Sequence, residues 1–156
     1  MAERRQLVVF RLDQQKYAVD LTAVERVLPA VEIRPLPEAP AIVAGIINLH
    51  GRIIPVISIR QRLALTERDL GLTDQLLVVR SATRTLALIV DGVEEVAAIA
   101  PDNWVAANAI FPGIGLVEGV LRLDDGLIVI FDLDQFFSLP DDQALAQALD
   151  QHEKTL

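Results

Sequence analysis

The chain has 156 residues, of which 52% are hydrophobic and only 4% aromatic, so one compact unit with an aliphatic core of Val, Ile, Leu and Ala is expected. It contains no cysteine, which excludes disulfides and thiolate chemistry, and no apolar run reaches the roughly 18 residues that span a bilayer. The charged N-terminus lacks the apolar block of a signal peptide, and we therefore expect a cytoplasmic protein.

The formal net charge of −8 is unevenly distributed along the chain. Residues 1–70 carry ten Lys and Arg against eight Asp and Glu, net +2, whereas residues 71–156 carry four against fourteen, net −10. This balance argues against a broad basic surface for nucleic acid. It is compatible either with an ordinary solvated surface or with two halves that face different partners. In the second case, binding through the acidic half should weaken more with salt than binding through apolar groups.

The first half of the chain has β-type patterning. Strands are predicted at 7–12, 17–21 and 52–59. Residues 22–28 fit a helical turn or a strand equally well, and Pro55 indicates an edge strand or a bulge. A short helical turn is predicted at 60–65.

The second half continues this pattern. Strands are predicted at 75–80, 84–90, 93–100, 116–123 and 127–131. Asp91 and Gly92 look like a two-residue hairpin turn between two of these strands, and residues 124–126 look like another. Residues 101–115, which include Trp104, are predicted to form a loop.

A helix is predicted only at the C-terminal end. Ser138 and Asp141 resemble a capping box, and Pro140 suits the first turn. Leu145 and Leu149 repeat at helical spacing and predict one apolar stripe. About nine short β segments in so small a chain favour an all-β fold of two little sheets packed together.

Few side chains suit catalysis. A hydrolytic site would require His50 to converge with Asp124 or Asp132, yet both aspartates fit turn and cap positions. We predict no enzymatic activity, no cofactor and no metal site. Gly45 and Gly51 bracket a predicted turn at 48–51, which suits either a hairpin corner or a surface groove that a partner occupies.

Several segments, in order, resemble the family of CheW-like chemotaxis adaptors. They are residues 7–12, 17–21, 23–27, 35–40, 45–57, 90–96 and 119–133. The block at 45–57, GIINLHGRIIPVI, is similar to the most recognisable motif of the family. The resemblance covers roughly residues 6–139.

The resemblance implies a single CheW-like domain over residues 1–156, built from two five-stranded SH3-like barrels around a shared core. The first barrel is expected at about 16–70, the second at 6–15 together with 71–139, and a C-terminal helix and tail at 140–156. Such adaptors are scaffolds without catalytic activity.

The resemblance also implies partners. Adaptors of this family couple the cytoplasmic tips of chemoreceptors, the methyl-accepting chemotaxis proteins, to the regulatory domain of a CheA-type histidine kinase. They act in two-component signalling within receptor arrays at the inner membrane. The receptor contact is expected in a groove between the barrels, at Val24, Gly45, Asn48, His50 and Arg52, and the barrel ends are expected to meet the kinase.

The chain departs from the family at His50, where arginine is usual. Arginine is always charged and presents a planar fork, whereas histidine is mostly neutral at cytoplasmic pH. Arg52, two residues on, could partly substitute. The departure leaves open a pathway other than flagellar chemotaxis, such as pilus motility.

Two substitutions test these expectations. Gly45→Asp should leave the fold largely intact and abolish receptor coupling, while Val129→Asp should unfold the protein by burying a carboxylate. The alternative function from the residues is a small β-barrel that carries an apolar ligand, although barrels filled with Val, Leu and Ile leave little cavity.

Overall fold

The computed structural model describes residues 5–29, 31–63, 65–66, 69–98, 104–106, 117–123 and 126–154. The strands are β1 (Gln6–Leu12), β2 (Gln15–Asp20), β3 (Val24–Pro29), β4 (Val43–Leu49), β5 (Arg52–Ile57), β6 (Gln75–Arg80), β7 (Thr85–Val90), β8 (Gly92–Ala98), β9 (Trp104–Ala106), β10 (Val117–Leu123) and β11 (Gly126–Phe131). The helices are α1 (Ile59–Arg62), α2 (Leu133–Phe136) and α3 (Leu139–Lys154), and a 3-10 turn covers Leu21–Ala23.

The strands form two sheets. Sheet A has the order β8-β1-β2-β11-β10-β9, and sheet B has the order β3-β6-β7-β5-β4. The predicted all-β architecture of two small sheets with a C-terminal helix is thereby confirmed. Sheet A contains five longer strands and a sixth of three residues, β9, which lies within the segment predicted as a loop. The rest of that segment, and residues 124–125, lie outside the described residues.

The predicted division of the chain between the barrels requires correction. Strand β2 belongs to sheet A, because a two-residue turn pairs it directly with β1. Strands β6 and β7 belong to sheet B, where the apolar β6 pairs with β3 on one side and β7 on the other. The acidic half, residues 71–156, therefore contributes to both sheets, and the premise that the two charge halves occupy different barrels is wrong.

The turn at Asp91 is also different from the prediction. Strand β7 pairs with β6 and β5, whereas β8 pairs with β1, so Asp91 carries the chain from sheet B to sheet A and closes no hairpin. The crossing in the opposite direction is the 3-10 turn, which Asp20 caps by accepting a hydrogen bond from the Thr22 amide at 3.1 Å. The ambiguous segment 22–28 is thus a helical turn followed by a strand.

Pro55 does not mark an edge strand. It is buried in β5, which lies between β7 and β4. The parallel pairing of β5 with β7 involves only Val56 and Ile57, so the missing N–H of Pro55 falls just before that ladder.

The largest apolar cluster is shared by both sheets and the C-terminal helix. Sheet A contributes Val8 and Phe10, sheet B contributes Leu77 and Val79, and α3 contributes Leu145. A smaller cluster fills the inner side of each sheet. Since successive residues of a strand point to opposite faces, β1 and β6 place alternate side chains in the shared and the inner clusters, which explains their uninterrupted apolar sequences.

The shared cluster is mostly aliphatic, as expected, but its aromatic rings are concentrated in one place. Phe10, Tyr17, Phe131 and Phe136 contact one another with ring centroids 5.1–6.3 Å apart. Aromatic side chains bury a large area each, so a few of them suffice at the junction of the two sheets.

Helix α3 is held at its first turn. The Ser138 amide and hydroxyl donate to Asp141 Oδ2 at 3.2 and 2.9 Å, which forms the predicted capping contact. Arg62 also pairs with Asp141, and Arg84 pairs with Asp142. The helix is therefore fixed to elements of sheet B as well as to the shared core.

Strand β11 offers a test of the core. Val129 is only half-buried, whereas its neighbour Ile130 is fully buried, so Val129 is a weaker probe than expected. We predict that Ile130→Ala lowers the free energy of unfolding by about 2–5 kcal/mol through a cavity. Leu127→Ala, at a side chain 51% exposed, should change it by less than about 0.5 kcal/mol. Urea unfolding of both variants checks this, and equal losses would contradict the packing described.

Candidate functional site

The β4–β5 hairpin presents a tight two-residue turn. His50 and Gly51 have φ of 53° and 86°, and Leu49 pairs with Arg52 across the turn. Two central residues with positive φ match the right-handed twist of a hairpin, and histidine adopts this conformation more readily than most residues. The Asn48 side chain accepts a hydrogen bond from the Gly51 amide at 2.8 Å. The turn predicted at 48–51 is confirmed.

Arg52 links the hairpin to the start of β3. Its guanidinium lies 3.5 Å from Glu25 Oε2 and 3.3 Å from Thr85 Oγ1, and its side chain is half exposed. An exposed ion pair of this kind adds little stability. The contact does engage the guanidinium, so Arg52 shares its charge with Glu25.

The same contact brings four of the five predicted site residues into one region. Val24 precedes Glu25 and is half-buried against the shared core, while Asn48 and His50 lie exposed on the hairpin with Arg52. The structure thus places Val24 beside the hairpin although more than twenty residues separate them in sequence.

Gly45, the fifth predicted site residue, is buried, unlike the exposed residues of the hairpin. It is buried under the segment that precedes β4, where the Arg34 amide donates to the Ile46 carbonyl at 2.9 Å and the reverse bond measures 2.8 Å. A Cβ on Gly45 would lie 2.3 Å from the Arg34 carbonyl oxygen and 2.7 Å from Ile33 Cγ2, and its φ is 156°. The expectation that Gly45→Asp preserves the fold is therefore wrong, because any side chain here collides with the backbone.

An apolar groove of about 540 Å³ opens beside the hairpin. Its apolar walls are formed by Leu28, Val31, Ile46, Ile47, Leu49 and Ile53, and Glu32, Arg34 and Asn48 add polar groups. The groove exists because β3 and β4 are the two edges of sheet B, and the segment containing Arg34 bridges only part of the gap. It lies along sheet B.

The sequence reasoning missed the exposed apolar residues of this groove. Ile53 is 49% exposed and Val31 is 38% exposed. The available signal was that Ile53 and Ile54 are adjacent in a strand, so that only one of them can point to the interior of sheet B. Large exposed apolar side chains next to a concave surface are typical of an interaction site.

The geometry inside the sheets does not favour a carrier that holds an apolar ligand within a barrel. The inner cluster of each sheet consists of close-packed side chains that are at most 5% exposed. Asp132 caps α2 by accepting a hydrogen bond from the Gln135 amide at 3.3 Å, and Asp124 lies outside the described residues. Within the part of the chain that the structure describes, no three His, Cys, Asp or Glu residues are grouped to hold a metal ion, and no helix is long and apolar enough to cross a membrane.

Comparisons with known proteins agree in one family. The family model of the CheW-like domain matches residues 6–141. The chain is similar to the chemotaxis protein CheW of Treponema pallidum, with 31% identity over 92% of this chain and 88% of the relative. It is 27% identical to CheW of Rhizobium meliloti over 85% of this chain and 87% of that protein. The crystal structure of the scaffolding protein TtCheW from Thermoanaerobacter tengcongensis superimposes with a TM-score of 0.79 at 31% identity, covering 89% of this chain and 96% of that one.

The close approach at Gly45 is directly testable. We predict that Gly45→Ala lowers the free energy of unfolding by about 2–4 kcal/mol, since backbone strain and collision with Arg34 add together. Gly51→Ala is the matched control, because Gly51 also has positive φ but a Cβ there meets no atom within 4 Å. It should cost only about 1 kcal/mol, from strain alone. Thermal and urea unfolding would contradict this account if the two variants were equally stable.

Proposed function

Because the chain belongs to the CheW-like family, we propose that it is a non-catalytic adaptor that couples chemoreceptors to a CheA-type histidine kinase. The observation that carries this proposal is the family match over residues 6–141, which spans both sheets. The similar fold of a solved scaffolding protein supports it further. In this function the protein is cytoplasmic and is recruited to receptor arrays at the inner membrane.

We assign the receptor contact to the groove and hairpin of sheet B. An apolar groove suits the apolar face of a helix, and the cytoplasmic tip of a chemoreceptor is a helical hairpin. Ile53 and Val31 supply exposed apolar contacts, while Asn48, His50 and Arg52 supply polar ones next to them. The role of Gly45 is then indirect, since it shapes the groove by admitting the Arg34 segment.

Val24 extends this surface toward the shared core. It is half-buried and adjoins Glu25, the partner of Arg52, so a receptor helix along the hairpin would reach it. An arginine at position 50 would add a permanent positive charge that a histidine does not supply. We therefore expect the receptor contact to depend on apolar burial and to change little with salt.

The kinase contact must leave the groove accessible. An adaptor holds both partners at once, so the regulatory domain of the kinase is expected at the ends of the barrels, away from Ile53 and the hairpin. This arrangement requires the two contacts to be separable by mutation.

The receptor contact is tested with Ile53→Asp. A carboxylate on the groove wall should weaken binding of a receptor cytoplasmic fragment by about tenfold or more, because it would be desolvated without a partner. Binding to the kinase and the melting temperature should be preserved, since Ile53 is half exposed. Calorimetric titration of each partner separately, with kinase autophosphorylation in the ternary mixture, measures these effects.

The matched control is Leu127→Asp, which places the same charge on an equally exposed apolar residue of sheet A. It should leave receptor binding unchanged. If Ile53→Asp binds the receptor fragment normally, the groove assignment is wrong. If the unmodified protein binds neither partner, the adaptor function itself is wrong.

A further inference from the structure

Arg60 is a charged side chain in a buried position. It lies in α1, directly after β5 of sheet B, and its side chain is only 9% exposed. Its Nη2 donates to Asp13 Oδ1 at 2.9 Å and to both carboxylate oxygens of Asp91 at 3.0 Å. Its Nη1 donates to Asp13 Oδ2 at 3.2 Å and to the Thr66 carbonyl at 3.1 Å. The guanidinium is therefore held on several sides.

The two carboxylates belong to the other sheet and to the crossing between the sheets. Asp13 lies in the β1–β2 turn of sheet A, and Asp91 is the residue at which the chain passes from β7 to β8. Asp91 Oδ2 also accepts a hydrogen bond from the Asp13 amide at 2.6 Å, and the Asp91 amide donates to the Arg11 carbonyl at 2.9 Å. One guanidinium from sheet B thus binds sheet A at the crossing point.

The chemistry of the contact makes it directional. The planar fork of arginine accepts carboxylates only at defined angles, whereas the apolar contacts of the shared core have no preferred direction. Hydrogen bonding to Asp13 raises the pKa of Arg60 although burial opposes the charge, so the group stays protonated at all relevant pH. Such a contact limits rotation of one sheet against the other in a way that packing alone does not.

Another arginine cluster provides a comparison. Arg5 pairs with Asp20 and with Glu118, and all three residues lie in or next to strands of sheet A. It has a similar set of ionic contacts but joins strands within one sheet. Arg5 therefore serves as a control for the loss of an arginine network that contains no residue of sheet B.

We propose that Arg60 is a positioning residue that fixes the orientation of sheet A relative to sheet B, so that a receptor bound on sheet B changes the kinase contact elsewhere on the protein. This proposal rests on the proposed adaptor function. Coupling between two sites can be carried by hydrogen-bond and salt-bridge networks that connect them, and the Arg60 contact forms such a network at the crossing of the chain.

The orientation is measured first, without any partner. The chain has no cysteine, so spin labels on Arg80→Cys in sheet B and Glu95→Cys in sheet A, both exposed, report the distance between the sheets. Arg60→Gln should broaden or shift the distance distribution in double electron–electron resonance. Arg5→Gln in the same labelled background should leave it unchanged.

Coupling is measured second. Arg60→Gln should bind the receptor fragment and the kinase separately with little change, while the receptor-dependent change in kinase activity falls by about tenfold. Arg60→Lys keeps the charge without the fork and should restore coupling only in part. A merely structural role would instead lower both binding signals together, in proportion to the unfolded fraction.

A milder variant covers the case in which Arg60→Gln does not fold. Asp13→Asn alters a carboxylate whose side chain is 59% exposed, at a φ of 54° that asparagine tolerates, and it should shift distance and coupling in the same direction by less. Unchanged distances and coupling in folded Arg60→Gln, or in Asp13→Asn if Arg60→Gln is unfolded, would overturn the proposal. If the unmodified protein binds neither partner, the adaptor function fails, and the distance measurement still decides whether Arg60 sets the orientation.

Discussion

The apolar cluster between the two sheets is the contact on which the rest of this structure depends. Each sheet buries one face of its strands in its own small inner cluster. The other face can be buried only against the opposite sheet. The shared cluster covers the second face of β1 and β6 and also receives Leu145 from α3. Apolar burial supplies the main favourable free energy of folding, and here it also forces the two sheets to fold as one unit.

Ion pairs at the border of this cluster have a defined geometry, which the apolar contacts lack. Arg60 binds Asp13 and Asp91 where the chain crosses between the sheets, and the first turn of α3 is bound by Arg62 and Arg84. Buried ion pairs add little net stability, but breaking one leaves an uncompensated charge. Under the proposal above, the Arg60 contact selects one orientation of the sheets among those that apolar packing would allow.

The groove of sheet B results from the gap between its two edge strands. In the part of the chain that the structure describes, β3 and β4 are the edges of sheet B, and the segment at Arg34 bridges part of the gap between them. That bridge requires Gly45, since no other residue admits the Arg34 carbonyl so closely. The apolar wall left open, with Ile53 at its rim, lies next to the hairpin at His50. Shape, exposed apolar area and polar groups thus coincide in one place.

Local features of this protein were determined by its sequence alone: most of the strand positions, the turn at His50, the cap at Ser138 and the family resemblance. Each depends on residues close together in the chain. The signals are the alternation of side chains along a strand, a positive φ, and a hydrogen bond between residues a few positions apart. The tertiary structure decided which sheet receives β6 and β7, that Asp91 is a crossing, that Gly45 is buried and that a groove opens at Ile53. These depend on contacts between residues distant in sequence, whose partners the local pattern does not specify.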